Sequence, residues 1–132
     1  MQLTPVSGNQ GMMPLGPEPS RVQTSVAANT LLGEMSSLIF NMSQSSESEA
    51  NVKLLLQFNE KVEALNNLGP KSNPPLQALP GDIMGKIDEL SSFAEEMCKS
   101  TEKGSKQKIY DKFLSKEVFI KTDISMWAMG KS

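Results

Sequence analysis

The sequence predicts an all-α chain, on three observations. Apolar residues recur at steps of three and four through most of residues 20–130, the spacing a helix needs to bury one face. No strand-like alternation of apolar and polar residues appears anywhere. Capping and breaking residues punctuate the stripes at Ser20, Ser46, Gly69 and Gly104. Together these predict a disordered or extended N-terminal arm, then two helical pairs joined by a proline-rich linker.

The arm comes first. Residues 1–19 carry Pro5, Pro14, Pro17 and Pro19 with Gly8, Gly11 and Gly16. Proline removes backbone donors and glycine raises the entropic cost of order, so no regular element is expected there. An N-terminal helical pair then spans 20–68. Ser20 with Gln23 matches a capping box and opens a helix to about Ser43, whose apolar face is Ala28, Leu31, Leu32, Met35, Leu38, Ile39 and Met42. Ser46 with Glu49 matches a second box, opening a helix over 46–68 striped by Val52, Leu55, Phe58, Val62 and Leu65. The short polar break between them leaves both a hairpin and one long rod open.

Gly69-Pro70 closes the pair, and residues 69–80 form the linker, with Pro70, Pro74, Pro75 and Pro80 favouring a stiff extended chain. The C-terminal pair covers 81–132. Its first helix runs over 81–103, with Asp82 facing the positive end of the helix dipole and Ile83, Ile87, Leu90, Ala94 and Met97 along one face. Gly104 ends it, and the last helix covers 105–130 with Gly130 as its stop. Ile109, Phe113, Ile120, Ile124 and Trp127 repeat the stripe there, with Tyr110, Leu114, Val118 and Phe119 widening it.

Composition narrows the function classes. The chain has 132 residues, room for one small domain, with 38% hydrophobic and only 5% aromatic residues. Thirteen basic residues against fifteen acidic ones leave a net charge of −2 with no basic block, which argues against nucleic acid. There is no histidine and one cysteine, so neither an intrachain disulfide nor an ordinary zinc set can form, and Cys98 has no histidine base to activate it. It reads as a small apolar residue beside its stripe. The acidic pairs Asp88-Glu89 and Glu95-Glu96 read as the solvated face of their helix. No catalytic, cofactor-binding or metal-ligating set is expected, and no small-molecule substrate. A cleaved secretory signal and a conventional transmembrane helix are not expected either.

What remains is packing. The nine methionines suit either a core or a surface that fits several neighbours. Trp127 anchors a dense terminal stripe, and two destinations are open: its own core, or copies of the chain and other proteins. The interface expected from this reading comprises Ile83, Ile87, Leu90, Ile109, Phe113, Leu114, Ile120, Ile124 and Trp127, with Ile120, Ile124 and Trp127 as its main contact.

Leu79 to Ser91 (LPGDIMGKIDELS) and Ile109 to Ser132 (IYDKFLSKEVFIKTDISMWAMGKS) resemble the inner-rod proteins of type III secretion systems, small relatives of the flagellar rod base. The resemblance places Asp111, Phe113 and Leu114 at the start of the final helix, and Thr122, Asp123 and Gly130 toward its end. It covers under half the chain. Members commonly continue past the Gly-Lys step into a further apolar turn, which this sequence lacks, and the 20–68 helices exceed those of many members. The resemblance implies a protein made in the cytoplasm and exported without a cleaved signal into an envelope-spanning assembly. There it would contact copies of itself, the export gate, the needle and membrane-ring subunits. The alternative is a self-contained helical binding module, such as a secretion chaperone, a secreted effector domain or a virion accessory protein.

Overall fold

The computed structural model describes residues 19–72 and 75–130; the expected arm, apart from Pro19, and the terminal Lys131 and Ser132 lie outside them. The described residues form four α-helices and no strand: α1 Pro19–Gln44, α2 Ser48–Asn66, α3 Gly81–Lys99 and α4 Lys103–Ala128. Each helix buries a stripe, at steps of three and four in α1 and α3 and at Asn51, Phe58 and Leu65, seven apart, in α2. In α3 it is Ile83, Ile87, Leu90, Ala94 and Met97. In α1 it is Ser25, Ala28, Leu32, Met35, Ile39 and Met42. That average of 3.5 residues is the repeat of coiled-coil packing, in which gently supercoiled helices keep one seam facing their neighbours.

The helices run up, down, up and down, each beside its chain neighbours, with α4 closing the ring against α1. Long-range contacts fix the directions. Arg21, at the start of α1, donates to the backbone carbonyl of Trp127 at the end of α4 (3.1 Å). Lys106, at the start of α4, reaches the carbonyl of Met42 at the end of α1 (3.1 Å). Lys86 and Asp123 pair across α3 and α4 at 2.5 Å. Residues 20–68 therefore form a hairpin and not a rod. One hydrophobic cluster joins all four helices, with Phe58 and Phe113 meeting edge to face across it at 5.9 Å.

Helix ends are where tertiary contacts override local signals. Ser20 already lies inside α1, so it is not the cap residue. Helix α2 starts at Ser48, with Glu47 as its cap residue and no side-chain cap bond, so the Ser46/Glu49 box does not form. The reason lies in the preceding turn, where the carbonyl of Ser45 accepts both the Asn51 amide and the Lys106 ammonium. Helix α3 stops at Lys99 and Ser100 turns extended, so the break precedes Gly104, which belongs to the first turn of α4. Gly69 does not end α2 in a left-handed conformation. The helix closes at Asn67, and Gly69 is buried where a Cβ would sit 3.4 Å from that of Ala78. Gly130 does take the left-handed conformation, at φ 79°, just past α4.

The linker is tied down along its second half. Thr24 donates to the backbone carbonyl of Gln77 (2.7 Å) and Arg21 to its side chain (3.2 Å), while Leu79 enters the core. The segment thus crosses the end of the bundle where α1 begins and α4 finishes.

Candidate functional surface

The residues expected to form an interface are mostly interior. Ile83, Ile87, Leu90, Phe113, Ile120, Ile124 and Trp127 are all buried within the chain, and Ile109 and Leu114 are half-buried against the same cluster. Trp127 also lies under the guanidinium of Arg21, 5.2 Å from its ring centroid, a cation–π contact closing the bundle end. In this fold the stripe of α4 contacts α1 and α3 and is not presented to a neighbour.

Six described polar residues are buried: Thr24, Ser25 and Ser43 on α1, and Asn51, Lys106 and Glu117, which periodicity alone would place in the stripes of α2 and α4. Counting back from Phe113 by seven reaches Lys106, which is 4% exposed and donates to the carbonyls of Met42 and Ser45 at the end of α1, where the helix dipole is negative. Asn51 occupies the corresponding stripe of α2 and braces the same turn. Between Phe113 and Ile120 lies Glu117, 5% exposed. Its Oε2 has no hydrogen-bond partner; the nearest cation is Lys121, one turn on, at 3.6 Å. Burial pushes this carboxyl above its ordinary range, while Lys121 and a hydrogen bond from Ser36 pull the other way. On the surface, Asp123 holds the Lys86 ammonium above its ordinary value, first through their hydrogen bond and then through its charge.

Lys86 and Asp123 line one pocket of about 210 Å³ with Asp82 and Trp127, where they are paired with each other. Among the described residues no group of three His, Cys, Asp or Glu side chains could hold a metal ion, and Cys98 is a half-buried free thiol. Among the described residues no helix is long and apolar enough to cross a membrane.

The outer surface is more distinctive. Helix α3 bears five acidic and two basic residues; α4 bears six lysines and three acidic residues. They lie side by side, bridged by Lys86–Asp123 and by Lys116–Glu89 at 2.8 Å. Between them is an open basin of about 430 Å³ lined by Phe93, Asp111, Lys112, Ser115, Lys116 and Phe119. Phe119 is 69% exposed, more than any other large apolar side chain described, and Met126 stands exposed two turns along the same edge. Such side chains are ordinary when scattered and informative when they share a face. Val118 and Phe119 were legible as extra apolar residues on α4; that they point away from the core was not. The sequence matches no protein-family model, no curated protein and no solved structure, so the functional reading rests on these residues.

Proposed function

We propose that this chain is a non-enzymatic helical interaction protein that works through contacts of its outer surface with other proteins. The observation that supports this best is the division of its apolar residues. One set closes a core shared by all four helices, and a second stays outside on α1, α2 and α4, with Phe119 on α4 the most exposed. A chain with a filled core has no intramolecular use for the second set.

Two forms of the reading follow. In the first, the chain is a self-contained binding module of the chaperone, effector or virion-accessory kind. Burial of Ile120, Ile124 and Trp127 within the chain favours this form. In the second, resting on the resemblance of 79–91 and 109–132, it is an inner-rod or adaptor subunit of a type III secretion apparatus. It would then be exported without a cleaved signal and meet the export gate, needle and membrane-ring proteins. That form needs α3 and α4 to leave the bundle before their stripes can meet neighbours.

Size-exclusion chromatography with amide exchange on the isolated chain separates the two. A module elutes as a sharp species with slow exchange in the centres of all four helices. A rod subunit exchanges rapidly through α3 and α4 until neighbours are supplied. An isolated chain lacking protection in every helix would overturn the proposal of a folded module.

A further inference from the structure

We infer that the outer face of α3 and α4 is a two-fold interface to a second copy of this chain, with α3 of each copy lying on α4 of the other. The inference rests on the proposed outward-acting, folded bundle and names the partner for one of its faces. Its ground is charge. Helix α1 carries one basic and one acidic residue, and α2 two basic and three acidic. The imbalance of the folded chain is therefore concentrated in an acidic α3 beside a basic α4. A face with one acidic and one basic half is complementary to itself when a two-fold axis runs between the halves, parallel to the helices.

The register is set by the ion pairs within the chain. Lys86 lies level with Asp123 and Glu89 with Lys116, so Glu96, two turns beyond Glu89, comes level with the stretch around Lys112. A rotation about that axis keeps each residue at its height and exchanges the halves. It sets Glu96 of one copy against Lys112 of the other, twice per dimer, and brings each Phe119 onto the half of the second copy that carries Phe93. Asp111 and Lys116 share the basin with Lys112, and Glu95 shares the outer side of α3 with Glu96.

The size is suitable. Two adjacent helices, the shorter of 19 residues, offer a face about 28 Å long and about 20 Å wide. That is comparable with the roughly 800 Å² per partner of a standard interface. Phe119 and Phe93 provide its apolar centre and the charges its rim.

The test measures the molar mass of the purified full chain by light scattering across a concentration series. The wild type should form a dimer of the 14.4 kDa chain, and Phe119→Glu should return it to monomer with unchanged helicity. Leu56→Glu, at a comparably exposed residue of α2, should leave the dimer intact. Charge reversal tests the pairing itself. Lys112→Glu alone and Glu96→Lys alone should each weaken the homodimer at least tenfold, because each places like charges opposite one another twice. Mixed together they should recover a heterodimer, since both of its contacts are then complementary. A wild-type monomer at the highest soluble concentration would overturn the inference and leave this face to a different protein. A dimer indifferent to Phe119→Glu, or variants that fail to rescue each other, would overturn it too. None of these failures affects the folded-module reading, which stands or falls on amide exchange.

Discussion

Replacing Glu117 with methionine should stabilise this protein. The side chain is 5% exposed in the stripe between Phe113 and Ile120, its Oε2 lacks a hydrogen bond, and its nearest cation is 3.6 Å away on a side chain 42% exposed. Solvent screens that cation, so the pair contributes little. The carboxyl keeps a hydrogen bond from Ser36, but a buried polar atom without a partner costs about 1–3 kcal/mol, and methionine fills the same volume with apolar contact. For a bundle of this size the gain should raise the melting temperature by about 4–12 °C at neutral pH. The pH dependence supplies an independent check. The folded-state pKa of Glu117 lies above the ordinary 4.5, so the folded chain binds more protons than the unfolded chain between that value and the folded one. Its contribution is then favourable at low pH and is lost as pH rises through the folded value. Thermal melts of wild type and Glu117→Gln, followed by circular dichroism, should therefore diverge in the glutamine variant's favour as pH rises above about 4.5. Loss of stability in Glu117→Met at neutral pH, or a gap between wild type and Glu117→Gln that ignores pH, would refute the assignment of Glu117 as an under-satisfied core carboxylate.

Other substitutions test the interior. Trp127→Ala and Ile124→Ala should each lower stability in urea by about 2–5 kcal/mol, because both side chains are buried within the chain; an unchanged urea midpoint would show that the stripe serves neighbours alone. Lys106→Ala should cost about 1–3 kcal/mol by removing a charged donor from the carbonyls of Met42 and Ser45, each of which keeps one other hydrogen bond, with amide exchange accelerated at the α1–α2 turn. Lys121→Ala removes the cation nearest Glu117 but, on an exposed side chain, should cost no more than about 1 kcal/mol.

Much of the fold was legible because helical periodicity reports which face of a segment is buried. The α3 stripe from Ile83 to Met97 is buried as its spacing requires. Periodicity does not report what covers a face. Ile120, Ile124 and Trp127 have the same spacing whether they meet α1 and α3 or another subunit, and only the closed ring of helices distinguishes these. Apolar counting also passes over polar residues in apolar positions. Lys106 and Glu117 fit the three-and-four stepping of α4, yet they were invisible to a search for hydrophobic stripes. The helix ends depend on atoms far away in sequence. Ser46 and Glu49 have the right types for a capping box, but Lys106, some 60 residues on, fixes the turn before them.

How the chain associates can be read from kinetics, because its two apolar sets differ in accessibility. Contact through the α4 stripe requires Ile120, Ile124 and Trp127 to leave a core in which each is at least nine-tenths buried, at about 1.5–3 kcal/mol per side chain. Opening must then precede contact, and the observed rate levels off at the opening rate as protein concentration rises. Contact through Phe119 and the flanking charges requires no opening. Its rate should rise in proportion to concentration and fall with added salt, as expected for encounters steered by opposite charges. Stopped-flow dilution and remixing of the wild type, followed by light scattering at several salt concentrations, distinguishes the two. We expect the bimolecular, salt-sensitive result. A plateau insensitive to salt would assign association to the inner stripe, and it would favour the rod-subunit form, in which this bundle is a storage conformation opened at the site of assembly.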